Sequence, residues 1–424
     1  MTLSVKNITG LTGQKILALN PMVHDFAWFD LWAKPAGLLN LLDFLAHQGN
    51  RVELIDCLYE ARATKRAFGC WKVRQTEIPK PAVYDGIPRR YYRFGLSPDE
   101  LRARLAALPR PDLALVTSIM TYWYPGVFEV IKILHQVFPK LPIGLGGIYA
   151  ELCPEHAARS GADFMVHGPA RPHPACTPMN LYHQPGYGIL RTSYGCPLNC
   201  RYCASSILSP NFSHRPLSEI FNDLATQMNL GTITDMAFYD DALLWKPEER
   251  FYPLCEHIIK NYPGLNLHTP NGLSVAAIDR RLADTMFQAG FQTLRLSLEG
   301  IDQFTSEVSS NKAGQKAFEK AVKNLLDAGY PSKNLETYIL AGLPGQSRNA
   351  IEDTINFAKS TGAHPKLCEY SPIPGTAMYA KAVADYPAMT NEPLWHNNTA
   401  FTPYLSGLMS QEELQHFKNC CRTI

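Results

Sequence analysis

Cys196, Cys200 and Cys203 stand in the stretch Tyr194-Gly195-Cys196-Pro197-Leu198-Asn199-Cys200-Arg201-Tyr202-Cys203, spaced Cys-x3-Cys-x2-Cys. An extended apolar run, Ile189 to Ser193, leads in and a helical one follows, so the triad occupies a loop able to wrap a metal cluster. Cubane iron–sulfur clusters ordinarily take four cysteines. A compact triad with no fourth cysteine close by leaves one iron open to an external chelator, and that open position is where chemistry can be done. Zinc is the competing use of such thiols, but structural zinc favours paired Cys-x2-4-Cys units with a second pair elsewhere, and no second pair is obvious downstream. Cys153, Cys176 and Cys255 are scattered and read as ordinary thiols; the adjoining Cys420-Cys421 do not by themselves complete a coordination sphere.

Something must hold that loop in place. Six strand-like runs recur with helical segments between them: Ile189 to Ser193, Asp235 to Tyr239, Leu267 to Pro270, Thr293 to Leu298, Glu336 to Leu340 and Lys366 to Tyr370. They predict an α/β domain over residues 188–385, a partial (β/α)6 barrel whose functional groups lie at the carboxyl ends of the strands. Polar residues fall at those ends. Asp240-Asp241 follow the second strand, Asn271-Gly272 the third and Glu299-Gly300 the fourth; Gly342-Leu343-Pro344-Gly345 follow the fifth and Ser371 to Thr376 the sixth. A helix N-cap for the aspartates, a salt bridge for Glu299 and a plain turn for the glycines are the bland readings of these groups.

Upstream, Lys15 to Asn20, Arg51 to Asp56, Asp112 to Thr117 and Ile143 to Gly147 read as strands, with helices over Gly37 to Gly49 and Val127 to Phe138. This alternation predicts a doubly wound parallel-sheet domain over residues 1–175, with ligand loops at the strands' carboxyl ends. The proline-rich stretch Pro169 to Pro178 cannot continue helix or sheet and opens a linker that runs over 176–187. Residues 386–424 form a C-terminal extension. The insert from Arg62 to Arg93 carries nine basic and two acidic residues interleaved with Phe68, Trp71, Tyr84, Tyr91 and Tyr92. It reads first as a solvated basic loop packing its aromatics inward, and second as an anion clamp built on Arg89-Arg90-Tyr91-Tyr92-Arg93.

The 424 residues carry 40 basic and 38 acidic side chains, so no strongly basic nucleic-acid-binding surface is expected. No apolar run approaches the ~18 residues of a membrane span. The N-terminus lacks the apolar core of a signal peptide, and a reduced cytoplasm is the expected compartment.

The cysteine loop, with the aromatic Tyr202 just before the third cysteine, resembles the radical S-adenosylmethionine (SAM) superfamily. The polar groups at the strand ends resemble that superfamily's corresponding elements, and the likeness covers about residues 10 to 385. It implies that Cys196, Cys200 and Cys203 hold a 4Fe-4S cluster whose open iron chelates SAM, and that an external donor of the ferredoxin or flavodoxin type supplies an electron. It further implies SAM contacts from Tyr202 near the adenine, from Asp240 or Asp241 near the amino group, and from Asn271, Ser297, Glu299 and Gly342. The first domain resembles the cobalamin-binding domain of many such enzymes in Lys34-Pro35-Ala36-Gly37-Leu38-Leu39, in the loop Thr117-Ser118-Ile119-Met120-Thr121-Tyr122 and in Gly146-Gly147. Thr117, Ser118, Gly146 and Gly147 are thus the implied cobalamin contacts. The chain departs from the pattern after its first strand, where Asn20-Pro21-Met22-Val23-His24-Asp25 replaces Asp-x-His-x-x-Gly. The resemblance therefore implies cobalamin bound without a histidine ligand. The activity implied is a cobalamin-dependent radical methyltransferase acting on an unactivated carbon of a small or lipid-like molecule. The alternative is a radical SAM rearrangement, cyclisation or bond-forming enzyme whose first domain uses no cobalamin.

Overall fold

A computed structural model describes residues 2–4, 8, 10–168, 176–312 and 314–422. Of the proline-rich linker start, residues 169–175 lie outside the described set. The chain forms two units, one made of residues 1–185, 226–230 and 388–397, the other of 186–225, 231–387 and 398–424. No helix among the described residues is long and apolar enough to cross a membrane.

In the first unit the strands are β1 (Thr2–Ser4), β2 (Lys15–Asn20), β3 (Arg51–Asp56), β4 (Leu113–Val116), β5 (Ile143–Leu145) and β6 (Phe164–His167). They make one sheet in the order β1-β6-β5-β4-β2-β3, parallel at every pairing. Ile16 to Leu19 and Leu113 to Val116 are buried on both faces, as crossover helices on each side of a parallel sheet require. Two of those helices are α1 (Ala36–His47) and α2 (Tyr124–Val137). The order reverses between β2 and β4, the point at which open parallel sheets leave a crevice for ligands.

The basic insert folds as antiparallel pieces: Arg62–Lys65 pairs with Trp71–Val73, and Gln75–Glu77 and Val23–Asp25 flank Tyr92–Phe94. Two of its aromatics turn inward, while Phe68 is exposed. Tyr84 and Tyr91 are buried beside Phe26, and the Tyr91 hydroxyl donates to the His24 carbonyl at 2.9 Å. The arginines of the supposed anion clamp have partners inside the chain: Arg93 makes two bonds of 3.1 Å to Glu129, and Arg90 lies 3.6 Å from Glu77. His24 is tied to the same Glu129 carboxylate at 3.0 Å.

Residues 388–397, expected within a C-terminal extension, form a strap on the first unit. The Tyr84 hydroxyl donates to the Leu394 carbonyl at 2.6 Å, and the Asn397 amide to Asp25 at 2.9 Å. His396 is buried, with Nε2 3.2 Å from the Met389 carbonyl and Nδ1 3.0 Å from the Thr121 hydroxyl. A carbonyl only accepts, so Nε2 carries a proton, and burial keeps the other nitrogen without one. Burial pushes the His396 pKa down from 6.5 to about 4. A folded pKa below the unfolded one favours the native state above the unfolded value and loses that contribution as pH falls from about 6.5 toward 4. The full loss is about 3 kcal/mol at 1.36 kcal/mol per unit. His396→Gln is expected to flatten the first unit's acid unfolding curve over that window, as followed by circular dichroism; an unchanged curve would refute the assignment.

The second unit's strands are β7 (Gly188–Leu190), β8 (Asp235–Phe238), β9 (Asn266–His268), β10 (Phe291–Glu299), β11 (Leu335–Ala341) and β12 (His364–Glu369). They pair in chain order and all in parallel, the open form of the expected (β/α)6 barrel. Leu294, Leu296 and Leu298 are buried on one face of β10, and by alternation Thr293, Arg295 and Ser297 take the other. The last helix, α3 (Gln411–Arg422), is tied to β12 by the ion pair Lys418–Glu369.

Candidate active site

The three cysteines follow β7 and are all half-buried free thiols. Backbone bonds fix their loop: Cys203 N–H donates to the Cys200 carbonyl at 3.0 Å, Arg201 N–H to the Val308 carbonyl at 2.8 Å, and Met378 N–H to the Arg201 carbonyl at 3.0 Å. The Cys203 sulfur lies 3.2 Å from the Ser205 hydroxyl and accepts the Ser205 N–H at 3.4 Å. Burial raises the pKa of Cys196 and of Cys200, and in both the neighbouring thiols add to the rise, so the cysteines share one electrostatic site. Among the described residues no three His, Cys, Asp or Glu side chains converge as ligands of a single metal ion. A cubane does not ask for convergence, because each thiolate takes a different iron. Three half-buried free thiols on one braced loop fit such a cluster, and binding it would displace their protons.

The two aspartates after β8 part company. Asp240 is 3% exposed; its carboxylate accepts the Thr192 N–H at 3.0 Å, the Thr192 hydroxyl at 2.7 Å and the Ser193 hydroxyl at 2.6 Å. The buried Arg250 guanidinium adds a countercharge. Asp240 therefore braces the approach to the cysteine loop instead of capping a helix. Asp241 is accessible, yet it lies in a recess where desolvation raises its carboxyl, against the pull of the Arg191 charge and a Ser205 hydrogen bond. Asp240→Asn is expected to lower stability by about 3 kcal/mol, because it removes the larger of the two countercharges on buried Arg250 and weakens the bonds from Thr192 and Ser193. If Asp241 meets the SAM ammonium, Asp241→Asn loses roughly tenfold in affinity, the worth of one charge-assisted hydrogen bond. Calorimetric titration and thermal melts on both variants check this; equal behaviour of the pair would sink it.

Glu299 closes β10 with φ 64°, a left-handed conformation costly for a side-chain-bearing residue. Its carboxylate takes the Lys312 ammonium at 2.6 Å, and Lys312 also lies 5.9 Å from the Tyr202 ring centre. Burial works against the Lys312 charge, but Glu299 and the thiols of Cys200 and Cys203 outweigh it and hold its pKa above the ordinary lysine value. The Tyr202 hydroxyl is buried, with its pKa raised by burial first and then by the charge of Glu299. The structure thus gathers Tyr202, Glu299 and Cys200 around Lys312, a residue that sequence reasoning did not single out.

Asn271 donates to the Asp240 carbonyl at 3.0 Å. Ser297 is buried where a side chain at Gly272 would strike it, 2.2 Å from the Ser297 hydroxyl. The Gly342 and Leu343 N–H groups donate to the Gln346 side chain at 3.0 and 3.3 Å, and a Cβ on Gly342 would meet Thr402 at 2.6 Å. That close approach, with φ 90°, is why glycine stands there. On the inner face, Arg295 pairs with Glu336, which Lys366 also reaches at 3.2 Å. Below them His268 bridges Asp235 at 2.9 Å and Thr293 at 3.1 Å. Closed barrels fill this space with branched apolar side chains; here it is charged.

In the first unit, Thr117 and Ser118 follow β4, and Gly146-Gly147 follow β5, on the β4 side of the sheet's reversal point. Gly147 adopts φ 89° and ψ −176°, and a Cβ there would lie 2.6 Å from both the Ser118 carbonyl and the Thr117 hydroxyl. The Ile148 N–H donates to the Ser118 carbonyl at 2.9 Å, locking the two loops together.

Residues 190–358 match the radical SAM superfamily. A curated relative, an uncharacterised methyltransferase of Pyrococcus horikoshii, is 24% identical over 244 residues, which make up 57% of this chain and 50% of the relative. The chain thus spans half the length of that relative. Among solved structures, the radical SAM methyltransferase TsrM of Kitasatospora setae with cobalamin and a 4Fe-4S cluster superposes with a TM-score of 0.67 at 14% identity, covering 97% of this chain and 91% of that one. The cobalamin-dependent radical SAM enzyme OxsB superposes with a TM-score of 0.59 at 10% identity, over 89% of this chain and 56% of its own. At such identities the likeness is one of fold.

Proposed function

From the premise that this chain carries a radical SAM domain, we propose that it is a cobalamin-dependent radical SAM methyltransferase acting on an unactivated carbon of a small or lipid-like molecule. The observation that carries the reading is the braced three-cysteine loop beside a ring of polar strand ends, in a chain whose first unit has the parallel sheet and reversal point of a cobalamin-binding fold. With a cluster, SAM and cobalamin bound, the chemistry supplied is a 5′-deoxyadenosyl radical and a transferable methyl group. The chain's own share is orientation and exclusion of water. Cys196, Cys200 and Cys203 would hold the cluster; Asp241 would receive the SAM ammonium; Tyr202, Asn271, Ser297, Glu299 and the Gly342 turn would shape the rest of the SAM pocket. Thr117, Ser118, Gly146 and Gly147 would line the corrinoid crevice, and since the chain carries Asn20-Pro21-Met22-Val23-His24-Asp25 in place of Asp-x-His-x-x-Gly the cobalamin would have no histidine ligand. An external low-potential donor completes the requirements.

Protein purified anaerobically from cobalamin-fed cells is expected to show corrin absorbance and, with SAM and a reductant, to form 5′-deoxyadenosine. Deoxyadenosine formation without any corrin uptake would overturn the methyltransferase reading in favour of a radical SAM reaction that does not use cobalamin.

A further inference from the structure

Helix Gln303–Val308 ends in a turn that is unusual in two respects. Ser310 and Asn311 are consecutive non-glycine residues with φ of 60° and 51°, a pairing that costs conformational energy at each position. The turn is also stitched to the cysteine loop. The Val308 carbonyl accepts the Arg201 N–H at 2.8 Å, and the Ser309 carbonyl lies 3.3 Å from the Cys200 sulfur. Ser310 offers its side-chain hydrogen bond to Cys200, and Lys312 interacts electrostatically with Cys200 and Cys203. Strain is retained where surrounding contacts over-determine it, and here it keeps Ser310 beside Cys200 and the Lys312 ammonium between Glu299 and the Tyr202 ring of the cysteine loop.

A cluster's reduction potential is set by its net charge and by hydrogen bonds to its sulfurs, among other factors. We propose that the Ser309–Lys312 turn is a potential-setting clamp. Lys312 and Ser310 stabilise the more negative, reduced form of the cluster, while Glu299 positions the Lys312 ammonium and partly offsets its charge. The inference rests on the cluster reading above and concerns one-electron reduction by an external donor, with no bond made or broken in the step.

The test is a potentiometric titration of the reconstituted full-length protein without SAM, followed by the electron paramagnetic resonance signal of the reduced cluster. At the wild-type midpoint, Lys312→Met is expected to cut the ratio of reduced to oxidised cluster about tenfold, a shift of about 59 mV for one electron. Ser310→Ala should move the same way by less, Lys312→Arg should restore the wild-type value, and Glu299→Gln should move the midpoint upward. Unchanged midpoints in Lys312→Met and Glu299→Gln at wild-type iron content would overturn the clamp, as would a loss of SAM affinity alone, which would make Lys312 a ligand contact. Wild-type protein that takes up no iron or sulfide would overturn the cluster reading itself, and this inference with it.

Discussion

Alanine at Cys196, at Cys200 or at Cys203 is expected to abolish the cluster absorbance and all 5′-deoxyadenosine formation, with iron falling from about four atoms per chain to near none. Each thiolate would hold a separate iron, so one loss leaves a cubane with two protein ligands and two open corners. The fold should survive. The three side chains are only half-buried, and the loop is braced by backbone bonds from Arg201 to Val308 and from Met378 to Arg201 that an alanine leaves in place. The stability change is expected to stay within about 1 kcal/mol. Iron and sulfide analysis beside a thermal melt separates lost ligation from lost folding. SAM cleavage by the triple-alanine protein under dithionite would refute the site.

Gly147→Ala should be nearly as severe, but in the other unit. Its φ of 89° and ψ of −176° lie in a region held almost solely by glycine, and the added Cβ would meet backbone atoms of Ser118 at 2.6 and 2.8 Å. Because backbone cannot swing aside as a side-chain tip can, a loss of about 3 kcal/mol is expected. Gly86→Ala is the control, since a Cβ there would meet nothing within 4 Å. Corrin uptake should vanish in the first variant and persist in the second, with the cluster absorbance unchanged in both. Equal corrin content in the two would place the corrinoid, if bound, away from this turn.

Sequence patterning carried most of the scaffold. β2 and β3 begin and end at the residues read from the chain, Lys15–Asn20 and Arg51–Asp56, because parallel strands covered on both faces are short apolar runs with clear polar limits. The second unit's strands lie within two or three residues of their expected bounds for the same reason. β6, Phe164–His167, is four residues long, too brief for a period to show. The strap 388–397 was invisible because Leu394, His396 and Asn397 are buried by partners hundreds of residues upstream. The sequence set Asp240 and Asp241 together at a strand end and left open which of them would face the site. Lys312 was missed since its placement depends on a left-handed turn at Ser310-Asn311 that contains no glycine; the asparagine was the one local hint.

The strap also bears on heredity. The chain enters its second unit at 186, returns to the first briefly at 226–230 and again for ten residues at 388–397, and leaves at 398. A gene fragment ending at codon 185 would encode a sheet whose Tyr84 hydroxyl, Asp25 carboxylate and Thr121 hydroxyl have lost Leu394, Asn397 and His396. Recombination therefore cannot trade the first unit's sheet as a cassette unless residues 388–397 travel with it. The two segments are bound to diverge together, and chimeras cut at residue 185 should express poorly until those ten codons are matched to their sheet.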